Sequence, residues 1–79
     1  MKKILDLADI RVVEFAALTK VSKATVHNWI KGTPIGTELV RDQVETLISR
    51  IQAAVKDGKL PLKDAVGRER LRILKVILQ

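Results

Sequence analysis

Two short apolar stripes constrain the fold of this chain more than any other feature of its sequence. The first has the i, i+3, i+4, i+7 spacing of one helix face and consists of Val12, Phe15, Ala16 and Thr19. The second begins a new helix at i, i+3, i+4 and consists of Val26, Trp29 and Ile30. Only Lys20 and Val21 separate the first helix from Ser22, which is a good N-cap for the second. Residues 12–31 therefore predict two steeply crossed helices joined by a tight turn, a helix-turn-helix.

Residues 12–34 resemble the bihelical motif of the lambda repressor and Cro superfamily of phage-type regulators. The residues that carry this resemblance are Phe15, Ala16, Val21, Ser22, Val26 and Trp29. In that family the first helix lies across the DNA backbone and the second enters the major groove. This chain departs from the family at the turn, where Lys20 stands in place of the usual glycine. A left-handed backbone at a residue other than glycine costs on the order of 1 kcal/mol.

One face of the second helix is suited to a major groove. If the apolar stripe points inward, the opposite side consists of Lys23, Ala24, His27, Asn28 and Lys31. Asn28 can pair with an adenine edge through its amide, and Lys23 and His27 can donate to guanine or to phosphate. Ala24 can contact a thymine methyl group. We expect base contacts at Lys23, Ala24, His27 and Asn28, which match the family's base-contact positions.

Phosphate contacts are expected at the two ends of the same helix. Ser22 and Thr25 lie at its positive end, and Lys20 and Lys31 flank the groove. The alternative is that these polar residues form an ordinary solvated helix face. Trp29 lies on the apolar stripe and is expected in the core rather than in the groove.

The N-terminal residues are compatible with two structures. Residues 2–8 predict a short helix, and the alternative is an extended arm whose Lys2 and Lys3 contact phosphate. Asp9 is a candidate cap for the helix at 11–19. Glu14 falls outside the apolar stripe of that helix, so it is expected to face solvent.

The C-terminal half predicts two further helices. Thr37 caps a long helix that runs to Lys56, where Asp57 and Gly58 end it. A last helix, with a strand as the alternative, has two apolar sets: Leu71, Leu74 and Leu78, and Ile73, Val76 and Ile77. Its basic residues are expected to form a solvated rim, with DNA contacts as the alternative: Arg68, Arg70, Arg72 and Lys75.

Two apolar faces on one terminal helix need two partners, so we expect a homodimer. The residues expected at its interface are Val44, Leu47, Ile51, Leu71, Leu74 and Leu78. The expected fold is a single all-α domain of about five helices over residues 1–79, whose dimerisation region spans about 37–79.

Composition favours some classes of function and disfavours others. Fifteen Lys and Arg against nine Asp and Glu give a net charge of +6, which suits a polyanionic partner. There is no cysteine, His27 is the lone histidine, and no glycine-rich phosphate loop occurs, so we expect no enzyme, cofactor, metal or small-molecule ligand. No signal peptide or membrane span is expected, which predicts a cytoplasmic, nucleoid-associated protein.

The expected function is sequence-specific binding of double-stranded DNA. The resemblance implies a homodimeric transcriptional regulator, a phage or prophage repressor that binds an inverted-repeat operator. One alternative is an excisionase-like architectural protein, although such proteins often carry a wing hairpin where this sequence continues into a helix. The other is an antitoxin-type protein-interaction module.

Overall fold

A computed structural model describes residues 1–63 and 65–78 and contains helices without strands in those ranges. The helices are α1 (Lys2–Leu7), α2 (Val12–Thr19), α3 (Lys23–Lys31), α4 (Glu38–Lys56) and α5 (Arg68–Ile77). The all-α, five-helix prediction is confirmed. Of the dimerisation region predicted at 37–79, Asp64 and Gln79 lie outside the described residues.

The core is aliphatic apart from one phenylalanine. α2 packs directly on α3, and α1 packs on α4. The largest side chains with almost no exposure are Phe15, Val26, Val44, Ile51 and Leu74. These residues come from α2, α3, α4 and α5, so one core holds four helices together. None of the described helices combines the length and apolar character that crossing a bilayer requires.

The predicted helix ends are largely confirmed. The N-cap hydroxyl of α4, Thr37 Oγ1, accepts a hydrogen bond from the Val40 N–H at 3.2 Å. The N-terminal residues form a helix rather than an extended arm, and the last helix is not a strand. Asp9 is not the cap of α2: it has a positive φ of 53°, and the N-cap residue is Arg11.

Glu14 does not face solvent, contrary to the sequence-based expectation. It is 7% exposed, and its carboxylate accepts the Arg11 N–H (2.9 Å) and the Nε–H of Arg70 (2.9 Å). Arg70, expected in a solvated rim, is only 5% exposed and also donates to the Asp9 carbonyl. This ion pair connects the first turn of α5 to the first turn of α2.

The environment of Glu14 favours its charged form. Burial by itself raises the pKa of Glu14, but the hydrogen bonds from Arg70 and the Arg11 N–H, together with both positive charges, lower it below its ordinary value. The hydrogen bond to Glu14 raises the pKa of Arg70 in turn. Both partners are therefore charged at neutral pH.

Four of the residues predicted at a dimer interface belong instead to the core of the single chain. Val44, Ile51, Leu74 and Leu78 are each at most 3% exposed. They have almost no surface left to bury against a second copy, because they pack inside the chain's own hydrophobic core. The other two predicted residues, Leu47 and Leu71, are half-buried. On the second apolar face of α5, Val76 is 71% exposed.

Candidate nucleic-acid interface

The turn between α2 and α3 is closed by its own backbone. Lys20 adopts the left-handed conformation (φ 61°, ψ 37°) that its place in the turn predicts. The Val21 N–H donates to the Ala16 carbonyl at 3.1 Å, and the Val21 side chain is half-buried against the core. Phe15, Ala16 and Val26 are at most 4% exposed, which fixes α3 against α2.

The first turn of α3 is capped as predicted. Ser22 Oγ accepts the Thr25 N–H at 3.1 Å and lies 2.8 Å from Thr25 Oγ1. Because the first amides of a helix have no partner within it, this end of α3 also presents donors and a partial positive charge. At the other end, Gly32 adopts a positive φ of 110°, which ends the helix.

The polar face of α3 is exposed along its full length. Its members, all exposed, are Lys23, Ala24, His27, Asn28 and Lys31. Lys20 and Ser22 are exposed beside it, and Thr25 is half-buried. The structure therefore brings the predicted base-contacting and phosphate-contacting residues onto one helix and its adjoining turn. Trp29 is half-buried and packs against the core, as its place in the apolar stripe predicts.

The segment of chain that contains α3 carries positively charged side chains and no negatively charged ones. Residues 15–37 contain no Asp or Glu but include Lys20, Lys23 and Lys31. Both ends of α3 thus carry cations with no carboxylate from the same segment to neutralise them. Such an arrangement suits a polyanion that runs along α3.

A small cavity of about 380 Å³ adjoins the α3 face and was not foreseen from the sequence. His27 lines it together with Lys2 and Arg11, and also with Asp6 and Asp9. Two cations and two acids balance there, so the cavity adds no net charge beside His27. Nothing in the sequence indicated these neighbours, because they come from α1 and the α1–α2 loop.

Two other kinds of site to consider among the described residues are a metal-binding group and a set of charged side chains that is open to a substrate. No group of three or more His, Asp or Glu side chains among residues 1–63 and 65–78 is arranged to hold a metal ion. The charged pair at Glu14 and Arg70 is enclosed and structural rather than open to a substrate. The exposed α3 face is consequently the strongest candidate for a binding site.

Comparisons with known proteins find no relative of this chain. No family model matches this sequence, and neither a curated protein nor a solved structure is significantly similar to it.

Proposed function

We propose that this chain is a sequence-specific DNA-binding transcriptional regulator that inserts α3 into the major groove. The observation that carries the proposal is the exposed polar face of α3, which a capped tight turn holds against α2. Asn28, His27 and Lys23 supply donors and an acceptor for base edges, and Ala24 supplies a methyl contact. Lys20, Lys31 and the α3 N-terminus, with Ser22 and Thr25, position the protein on phosphates. A phage or prophage repressor is the form of regulator that the α2–α3 pattern resembles.

The proposal includes a homodimer, because paired recognition helices read an inverted repeat with half-sites about 10 base pairs apart. The dimer contact would use apolar residues of α5 that the chain leaves accessible, such as Leu71 and Val76, rather than the buried core residues. Sedimentation equilibrium of Val76→Lys against the unmodified chain tests this. We expect the variant to dissociate at concentrations at which the unmodified chain is dimeric, and a monomeric unmodified chain would contradict the dimer.

The architectural alternative receives less support from the fold. Residues 33–37 after α3 lead directly into α4, and no strand is found among the described residues where a wing hairpin would lie. The protein-interaction alternative receives support from Val66 and Val76, which are 80% and 71% exposed. A heterologous partner would cover these side chains without requiring the α3 face.

Lys20→Asn is expected to weaken binding to all DNA sequences alike. Asparagine tolerates the left-handed backbone of this turn, so the fold should be retained while one phosphate contact is lost. The slope of log K against log salt concentration should fall in magnitude by about one. Fluorescence anisotropy with specific and unrelated duplexes over a salt series measures this. A change in base preference would show that Lys20 contacts bases instead.

Ser22→Ala and Thr37→Ala form a matched pair. Each removes an N-cap hydroxyl that accepts an N–H three residues on, so each should cost about 1 kcal/mol of stability in urea unfolding. Only Ser22 lies at the proposed phosphate-binding end of α3. We therefore expect Ser22→Ala to weaken DNA binding and Thr37→Ala to leave it unchanged. Equal losses of affinity would mean that stability, rather than contact, controls binding.

A further inference from the structure

A groove of about 710 Å³ lies between the end of α2, the middle of α4 and the end of α5. We call it the α2–α4–α5 groove. Its volume falls in the range of small-molecule sites. It is separate from the polar face of α3 but reaches the turn before α3, because Thr19 and Lys20 contribute to its lining.

The lining of the groove is amphipathic. Its accessible apolar part comes from Leu18 and Leu47, which are both half-buried; Leu78 also lines the groove but is only 3% exposed. Two uncharged polar side chains, Gln43 and Thr46, lie beside them on α4. A ligand with a short apolar body can therefore lie along the leucines while its head group remains near polar residues.

The charge of the groove selects an anionic head group. Three cations line it, Lys20, Arg50 and Lys75, against one acid, Asp42. Lys20, Arg50 and Lys75 are exposed, and Arg50 is already oriented by the hydrogen bond of its Nη1 to the Leu78 carbonyl at 3.1 Å. A guanidinium has five N–H donors, so this contact leaves others that can meet a carboxylate.

We infer that the α2–α4–α5 groove binds a small amphipathic carboxylate, with its apolar chain on the leucines and its carboxylate at Arg50 and Lys75. Lys20 belongs both to this groove and to the proposed phosphate contacts. If the proposed DNA-binding function holds, a bound carboxylate adds a negative charge to the groove that Lys20 also lines and thereby weakens DNA binding, and DNA weakens carboxylate binding by the same factor. The groove is then an effector site.

Octanoate is the probe, with octylammonium and octan-1-ol as controls that keep the chain and change the head group. Titration of the isotopically labelled chain followed by amide chemical shifts needs no DNA, so its outcome is independent of the proposed function. We expect saturable shifts at Leu18, Thr46 and Lys75 with octanoate, and weaker or no shifts with the two controls. Lys75→Gln should weaken octanoate binding about two- to fivefold, as expected for one exposed charge contact.

Ala17→Trp supplies a second test that leaves every charge in place. Ala17 is an exposed residue of the groove lining, so a large side chain there should fill the groove and abolish the octanoate shifts without unfolding the chain. Equal shifts with octylammonium, or shifts scattered outside the groove, would overturn the inference. Shifts of Leu18 and Thr46, which lie on α2 and α4, on raising the protein concentration without octanoate would assign the groove to a second copy and also overturn the inference.

Discussion

Replacement of Arg70 by methionine is expected to destabilise the fold by about 3 to 5 kcal/mol. The substitution leaves Glu14, which is 7% exposed, as a charged group without its guanidinium partner. It also removes the donor to the Asp9 carbonyl, so α5 loses its attachment to the α1–α2 loop. Urea unfolding followed by circular dichroism measures the loss. Since domains of this size have little stability to spare, the variant should be partly unfolded in buffer.

Arg72→Met is the matched control for this experiment. Arg72 also forms an ion pair on α5, with Glu69 at 2.8 Å, but both side chains are more than half exposed. Its removal should cost less than about 1 kcal/mol. Glu14→Gln combined with Arg70→Met removes both charges and should recover part of the stability lost in Arg70→Met alone. Similar, small losses for Arg70→Met and Arg72→Met would show that the buried pair does not hold α5 in place.

The ion pair of Glu14 and Arg70 makes the stability of the fold depend on pH in the acidic range. The pKa of Glu14 is lower in the folded chain than its ordinary value, so its contribution is fully present above the ordinary value. That contribution is lost as the pH falls through the lowered folded value. We expect the difference in unfolding free energy between the unmodified chain and Glu14→Gln/Arg70→Met to shrink over this acidic range and to be constant at neutral pH.

Asn28→Ala is expected to reduce affinity for the preferred DNA site by about 1 to 3 kcal/mol, or about 5- to 150-fold. The physical reason is the loss of a bidentate amide pair with one base, which a methyl group cannot replace. Specificity should relax at one position of the site and remain elsewhere. The fold should be unaffected, because Asn28 is exposed and its side chain makes no hydrogen bond to the described residues.

Anisotropy titrations against the preferred duplex and single-base variants of it measure both effects of Asn28→Ala. Gln52→Ala is a suitable control, since Gln52 is another exposed amide but lies on α4, outside the proposed interface. We expect Gln52→Ala to leave affinity and base preference unchanged. If Asn28→Ala behaves like Gln52→Ala, the face of α3 assigned to the groove is the wrong one.

Local patterns in the sequence were sufficient to predict the helices and the α3 face. Ser22, Lys20 and Gly32 act through neighbours within a few residues, so their roles as cap, turn and stop could be derived from the sequence. The apolar spacing of α2 and α3 determined which side of α3 is exposed. Each of these predictions concerns a single helix or turn, and the spacing of apolar residues within one helix is enough to make it.

Apart from the cap assigned to Asp9 in place of Arg11, the errors arose where distant segments meet. Glu14 and Arg70 are 56 residues apart, and neither periodicity nor charge pattern pairs them. An apolar period likewise shows that Val44 and Leu74 need partners, but it does not distinguish the chain's own helices from a second copy. The α2–α4–α5 groove was missed for the same reason, because its cations come from three separate elements.

The most direct test of DNA recognition by α3 is selection of duplexes from a random library by the purified chain, followed by sequencing. A salt concentration of about 0.15 M suppresses weak, charge-driven binding. We expect enrichment of an inverted repeat with half-sites about 10 base pairs apart, and loss of preference at one position in each half-site for Asn28→Ala. Enrichment of AT-rich DNA without a repeat would favour an architectural protein over a repressor. If no sequence is enriched, the proposal that α3 reads DNA is contradicted.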